Sequence, residues 1–311
     1  MLLVAAPAVI IALVSLAAFF GRWVWWLDVL ANFRAQYFVV LTVTGLVVVL
    51  SRWRNLGYAI LGTALVNLVF VLPLYLGGPD RSDPAAPSMR VMSFNLLSNN
   101  QRFAEVIDFI EELDPDLVFL HEASRPWELA LDSSSLAYNM VRPRSDDMVF
   151  GTLVLVRQEQ VEAVSHGFAA TQPRAVELTY RPRGWPDRIQ VLSTHPLAPS
   201  SARRAALRDA QIRFAAEWAE GREGAVVVVG DLNATPWSWP FALLNATGLH
   251  NSQRGFGLQA SFPTTTLFFL RVPIDHLLHS DALVVRDRYL GPSLGSDHYP
   301  LVVDLELKPR S

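Results

Sequence analysis

The chain has no cysteine and only one lysine, Lys308, among its 311 residues. Without thiols it forms no disulfide, builds no thiolate metal site and runs no cysteine-nucleophile chemistry. The shortage of lysine leaves arginine as the carrier of positive charge and reads as a compositional bias. Net positive charge is also lacking where a nucleic-acid grip would need it. From residue 88 onward there are 21 basic against 26 acidic residues, a net of −5, whereas the preceding part is +2. This excludes a global basic field and leaves room only for a local basic groove. Internal repeats and low-complexity tracts are absent as well.

Charge disappears altogether from three apolar stretches: Leu2 to Phe20, Tyr37 to Leu50 (extendable back to Ala35) and Tyr58 to Leu76. At about 1.5 Å of rise per residue, roughly 20 helical residues cross a bilayer core. The expectation is a three-helix transmembrane anchor over residues 1–78, with spans at about 2–20, 35–50 and 57–77. A cleavable signal peptide is the competing reading of the first stretch, which lacks a basic region before its apolar run. A helical hairpin buried in a soluble protein is the alternative for the other two. Trp23, Trp25 and Trp26 in the first link favour the headgroup region. Arg52 and Arg54 in the second link favour a cytoplasmic turn, against Arg22 and Arg34 around the first. The resulting expectation is a multi-pass protein of the inner (plasma) membrane, with the lipid bilayer as partner and an extracytoplasmic catalytic domain. Residues 79–87, rich in proline and preceded by Gly77-Gly78, read as a linker, and 88–311 as that domain.

The domain begins with an alternating strand, Met89 to Phe94. A helical stripe at 103, 106, 107, 110 and 113 follows, stopped by Pro115. Further strands are expected at Leu117–Leu120, Gly151–Val156, Ala175–Tyr180, Ile189–Ser193, Ala225–Val229, Pro273–Leu278 and Leu301–Leu307. A second helix runs from Ser200 or Ser201 to about Ala219. Many strands with few helices between them indicate a mixed sheet or two packed sheets flanked by helices.

Polar residues gather where these apolar runs end. The segments are Ser93-Phe94-Asn95, His121-Glu122, Thr194-His195, Gly230-Asp231-Leu232-Asn233, Ile274-Asp275-His276 and Ser296-Asp297-His298-Tyr299-Pro300. Each one alone has an ordinary structural explanation as a turn or strand cap. Their recurrence at strand ends, where rigid sheets carry active sites, favours chemistry. Phosphoester hydrolysis needs a cation, an activated water and donors for the phosphoryl oxygens. Carboxylate and amide oxygens suit a hard cation; Glu122, Asp231, Asp297, Asn95 and Asn233 supply them. His195 and His298 can exchange protons near neutrality, and Asp275 is the best carboxylate to orient a base. The other five histidines read as structural or exposed.

These segments, in this order, resemble the endonuclease/exonuclease/phosphatase superfamily, which includes deoxyribonucleases, inositol-polyphosphate phosphatases and neutral sphingomyelinases. The resemblance covers about residues 88 to 308. It implies an α/β four-layer α-β-β-α sandwich of two packed mixed sheets, following the N-terminal anchor. It further implies Glu122 as principal divalent-metal ligand, helped by Asn95 and Asp297, with Mg²⁺ or Mn²⁺ as cofactor. Asp231 and Asn233 match the pair orienting nucleophile, phosphate and leaving oxygen. His298 matches the catalytic histidine and Asp275 its partner, while His195 matches a second, phosphate-contacting histidine. Abasic-site enzymes are expected to have tyrosine in that last place. The anchor followed by Asn95-Leu96-Leu97-Ser98-Asn99-Asn100 is similar to membrane-anchored bacterial members.

The implied activity is hydrolysis of a phosphodiester, nuclease-like or at a lipid head group, with water activated by the His298–Asp275 pair. A phosphomonoesterase acting on a phospholipid or inositol-type substrate and a catalytically silent scaffold are the alternatives. Arg142, Arg144, Arg203, Arg204 and Arg208 could line a nucleic-acid groove, but a solvated face is the favoured reading. Leu267-Phe268-Phe269-Leu270 reads as a buried strand before Pro273, with an exposed apolar tip as the alternative. No protein partner is indicated.

Overall fold

The structure, a computed structural model, describes residues 2–78, 87–142, 151–157, 161–168 and 173–308. The expected linker, except Pro87, falls outside the described residues, as does Arg144.

Four helices come first. They are α1 (Leu2–Ala17, extended by a 3-10 turn to Phe20), α2 (Trp25–Ala31), α3 (Arg34–Val49) and α4 (Arg54–Val71). Leu3–Phe20 and Arg54–Leu74 are long and apolar enough to cross a membrane. A third span results if α2 and α3, bent by 64° at the break between them, are counted as one. Small residues pack inward: Ala5, Ala8, Ala12 and Ala64 meet Leu41, Val48 and Ile60. At Gly57 a Cβ would lie 2.5 Å from the Val49 backbone nitrogen, so only glycine permits this approach of α4 to α3. Large apolar side chains such as Leu13, Val43, Leu46, Leu65 and Val69 are exposed instead. Small residues inside and large apolar ones outside is an arrangement that candidate membrane-spanning helices share. Arg34, expected in the polar link, is buried: it donates to Asn67 Oδ1 (3.2 Å) and stacks against Phe19 and Phe70.

The remainder folds as two six-stranded sheets. The first contains β1 (Ser88–Asn95), β2 (Leu117–Ala123), β3 (Asn139–Val141), β4 (Gly151–Val156), β11 (Leu283–Leu290) and β12 (Leu301–Leu307), in the order β11-β12-β1-β2-β4-β3. The second contains β5 (Val161–His166), β6 (Ala175–Tyr180), β7 (Ile189–Ser193), β8 (Ala225–Asp231), β9 (His250–Asn251) and β10 (Asp275–His279), in the order β5-β6-β7-β8-β10-β9. Each sheet has one parallel pair, β1 with β2 and β7 with β8, among antiparallel neighbours, so both are mixed.

Alternation decides the layers. Val91, Phe119, Val227 and Leu277 point between the sheets into a common core, while their neighbours point outward. Met92, Phe94, Val118 and Leu120 pack beneath α5 (Phe103–Leu113) and α6 (Arg125–Asp132). Val226, Val228 and Leu278 pack beneath α7 (Ala202–Ala219) and α8 (Trp239–Asn245). The expected four-layer sandwich is therefore present.

The sequence pattern does not reveal β5 and β11. β5 is an edge strand with three exposed residues in succession, so it lacks a clean apolar face. In β11 the register shifts between Val285 and Asp287, breaking the alternation. Leu267–Leu270 departs from its favoured reading: it is no buried strand but an exposed turn whose last three residues form a 3-10 helix. Its neighbours Phe262 and Val272 pair as an isolated bridge, holding the intervening residues out as a loop.

Candidate active site

Strand register gathers the polar ends at one edge. Asn95 of β1 pairs with His121 of β2, so Glu122 lies one step further along. Ser193 of β7 pairs with Val229 of β8, bringing Thr194 and His195 level with Gly230 and Asp231. β10 runs antiparallel to β8, and Asp275 faces Asp231 directly. Ser93 pairs with Leu301, so the Ser296–Pro300 segment enters at the same end.

Local backbone irregularities aim the side chains. Glu122 has φ +54° and lies where the β2–β4 register shifts, a bulge that turns its carboxylate toward the cleft. Asn233 adopts φ +48°, and its backbone N–H donates to Asp231 Oδ1 at 2.9 Å. Gly230 has φ +146°, and a Cβ there would come 2.0 Å from the Thr194 carbonyl oxygen. That glycine lets β7 and β8 approach closely enough to set His195 beside Asp231.

The side chains then form a linked set. Asn95 Nδ2 donates to Glu122 Oε1 (3.1 Å) and to Asp231 Oδ2 (3.0 Å). His195 Nε2 lies 3.4 Å from Glu122 Oε1, and its Nδ1 lies 3.2 Å from the Asp231 carbonyl oxygen. His298 Nδ1 lies 2.8 Å from Asp275 Oδ2, which leaves Nε2 directed at Asp231 Oδ2, 3.6 Å away. Ser296 accepts from the His298 N–H and donates to the Asn95 carbonyl, tying the last motif to the first. Asn233 Nδ2 is held by the Pro196 carbonyl. Asn95, Glu122, His195, Asp231, Asn233, Asp275 and His298 thus come together as expected. Asp297 is half-buried and acts on His298 electrostatically, but among the described residues no hydrogen bond carries its carboxylate to Glu122 or Asn95.

Electrostatics follow from burial against these partners. Burial opposes a charge on His298, but Asp275 and Asp231 outweigh it and lift its pKa to about 10. Burial would raise Glu122, but its hydrogen bond with His195, that cation's charge and Asn95 hold it down at about 2. For Asp231, burial dominates and raises the pKa despite His298. For Asp275 the pull of His298 overcomes burial and lowers it. His121, fully buried, is pushed down to about 3 by desolvation, and its ring packs 5.4 Å from His195; it is structural, as expected. His276 is likewise buried against the Ala234 carbonyl and lowered to about 4 by burial.

Sequence reasoning missed two buried arginines. Arg288, on β11, donates to the Asp275 carbonyl (3.3 Å) and to Ser252 Oγ; desolvation lowers its pKa to about 9. Arg208, grouped with the solvated arginines, is buried and donates to the Asn233 carbonyl at 3.2 Å. Arg142 pairs with Glu128 and Asp132, and Arg203 and Arg204 are exposed on α7. These described arginines line no common groove.

The donor set fits a hard divalent cation. Glu122 and Asp231 direct carboxylate oxygens to the same side of the site, both within hydrogen-bond distance of the Asn95 amide, and carboxylate and amide oxygens are the donors such a cation takes. A second grouping, Asp231, Asp275 and His298, has its ligand atoms within 4.8 Å of one another. In it the His298 cation already sits between the two carboxylates, so Glu122, the more open carboxylate, is the better ligand.

The family model described as "Endonuclease/Exonuclease/phosphatase family" matches residues 92–298, spanning this entire constellation. The chain belongs to that family. Members of the endonuclease/exonuclease/phosphatase family are metal-dependent phosphoester hydrolases, and this chain is an enzyme of that kind. None of the curated proteins matches it significantly. Among solved structures, humanized TDP2 of D. rerio is 17% identical with a TM-score of 0.60, covering 70% of this chain and 99% of its own. The endonuclease/exonuclease/phosphatase of Bacteroides vulgatus is 18% identical (TM-score 0.58; 71% and 100% covered). The human Nocturnin catalytic domain, with bound sulfate, is 22% identical (TM-score 0.56; 74% and 97% covered). At these identities the likeness is one of fold.

Proposed function

We propose that the chain is a membrane-anchored hydrolase that cleaves a phosphodiester with the help of Mg²⁺ or Mn²⁺. The observation that carries this reading is the run Asp275–His298–Asp231 set beside Glu122 and Asn95 where strands of both sheets end. A divalent ion bound there supplies neutralisation of the charge that builds on the phosphoryl oxygens. Glu122 and Asn95 would hold it, with Asp297 as a further oxygen donor.

Asp275 fixes the ring of His298 through Nδ1. Asp275 and Asp231 lift the His298 pKa to about 10, so besides its expected part in activating water with Asp275 the ring can serve, when protonated, as a cation for the phosphoryl oxygens and a proton donor. Asp231, whose pKa burial raises, becomes the acceptor of the proton from the attacking water. His195 and the Asn233 amide supply further donors for the non-bridging oxygens.

The outward-facing apolar side chains of α1, α3 and α4 support insertion in the inner (plasma) membrane. Arg52, between α3 and α4, and Arg54, the first residue of α4, favour a cytoplasmic turn and an extracytoplasmic catalytic domain.

The deciding experiment is hydrolysis of bis-p-nitrophenyl phosphate by the full chain in detergent, with Mn²⁺, Mg²⁺ or EDTA. Metal-dependent turnover lost in Glu122→Ala and His298→Ala supports the reading. Wild-type turnover in Glu122→Ala would show the metal site to be misassigned.

A further inference from the structure

The helical bundle meets the sandwich beside the end that carries the site, and through Leu74 it also accepts from the Gly257 N–H. Asn32, after α2, accepts from Thr235 Oγ1 (3.0 Å), and Asp28 on α2 accepts from the Trp239 N–H (2.6 Å). Both partners belong to the segment that follows Asp231 and Asn233. Gln36 on α3 donates to the Arg271 carbonyl at 2.9 Å. Arg271 closes the loop between Phe262 and Val272, and that loop borders the site directly. The Phe262 ring packs 4.7 Å from His298, and the Thr264 N–H donates to the Asp297 carbonyl.

The same loop carries the Leu267–Leu270 turn. These four large apolar residues are 63%, 76%, 54% and 47% exposed, on a loop stiffened by Arg271, which donates to the Thr264 and Thr266 carbonyls. A rigid, water-exposed apolar tip beside a catalytic cleft needs a partner. Its position says which. Gln36, which braces the loop, lies about one helical turn before Val39 and Val40, the first of the outward-facing apolar residues of α3. Trp23 and Trp26, exposed just after α1, add aromatic residues of the kind that settle at headgroup level. The tip therefore continues the apolar belt of the bundle.

We infer that Leu267–Leu270 dips into the bilayer that holds the helices, and that the site faces that surface and takes a phospholipid head-group phosphoester from it. The inference rests on the hydrolase reading above. In the reaction the water oxygen bonds to phosphorus, one ester P–O bond breaks, and the departing alkoxide takes a proton. The net charge of −5 and the ion-paired or buried arginines disfavour nucleic acid as the occupant of this edge.

The absence of cysteine makes the test direct. Phe268→Cys and Glu223→Cys full chains are spin-labelled and reconstituted in vesicles of phosphatidylethanolamine and phosphatidylglycerol. Glu223 is exposed at the opposite end of β8 and serves as the water-facing reference. The label at 268 is expected to be relaxed by lipid-soluble oxygen and shielded from a water-soluble nickel chelate, with the reverse at 223. In parallel, Phe268→Asp/Phe269→Asp is expected to slow release of head-group product from the vesicles about tenfold, with bis-p-nitrophenyl phosphate hydrolysis unchanged. Equal nickel access at 268 and 223, or wild-type lipid hydrolysis by the double variant, overturns membrane docking. Hydrolysis of the soluble diester without hydrolysis of lipid overturns the substrate class and leaves the hydrolase standing. Hydrolysis of neither overturns the hydrolase reading, while the label contrast still decides the docking.

Discussion

Asp28, on the short helix α2, and Arg208, on α7, form a buried ion pair at 2.8 Å, 180 residues apart in the chain. Both side chains are almost wholly excluded from water. The same guanidinium donates to the Asn233 carbonyl, so α2 is connected through one side chain to the loop that bears Asn233. Leaving one partner of a buried pair uncompensated costs more than the pair contributes. Asp28→Asn should lower stability by about 3 kcal/mol, read as a fall in Tm in detergent. Asp28→Asn/Arg208→Met should recover part of that loss. Equal melting of wild type and Asp28→Asn would rule out the connection.

Glu122→Gln removes the negative charge while keeping the shape of the side chain. We expect kcat to fall by about 10² to 10³, the range for losing one preorganised electrostatic group, with Tm within a few degrees of wild type. Mn²⁺ titration followed by calorimetry should show weakened binding in the same variant. Unaltered Mn²⁺ affinity would place the metal elsewhere, with Asp231, Asp275 and His298 the next grouping to test.

Two opposed groups of the site, His298 and Glu122, contribute to the pH dependence of stability in EDTA. His298 has a folded pKa of about 10, above its ordinary 6.5, so its contribution is complete below pH 6.5 and is lost as pH rises toward 10. Glu122 has a folded pKa of about 2, below its ordinary 4.5, so its contribution is complete above pH 4.5 and is lost as pH falls toward 2. Taken together these two favour a maximum between pH 4.5 and 6.5, and the buried histidines His121 and His276, lowered to about 3 and about 4, press it to the upper end of that window because their contribution is complete only above pH 6.5. Tm measured across pH should show the alkaline limb flattened in His298→Gln and the acid limb flattened in Glu122→Gln.

Gly230→Ala should be among the most damaging single-methyl changes in the domain. The new Cβ meets the Thr194 carbonyl at 2.0 Å, at a φ that side chains avoid. Backbone strain alone is of order 1–3 kcal/mol, and the clash adds to it by pushing β7 from β8. A drop in Tm accompanied by loss of turnover is the expected outcome, because His195 moves with β7.

Much of this was legible in the chain because it is local. Asn95, Glu122, His195, Asp231 and Asp275 each stand at the boundary of an apolar run, and period-two alternation marks such boundaries without any knowledge of partners. Arg208 was not legible. On α7 it follows Arg203 and Arg204 and looks like one more solvated arginine, and what buries it, α2, lies far away in sequence. Arg288 was hidden by the break in β11 alternation. Leu267–Leu270 illustrates the same boundary from the apolar side, since four consecutive apolar residues read alike whether a sheet covers them or nothing does.

The chain by itself determined the apolar helices, the order of strands and the acid, amide and histidine residues at their ends. Those properties follow from composition and periodicity over a few residues. Tertiary structure alone decided that Arg208 ties α2 to the Asn233 loop, that Asp275 and Asp231 raise the pKa of His298 while His195 lowers that of Glu122, and that the helices dock beside the catalytic end. Each of these depends on distances and desolvation between residues far apart in the chain, which packing sets and local pattern does not encode.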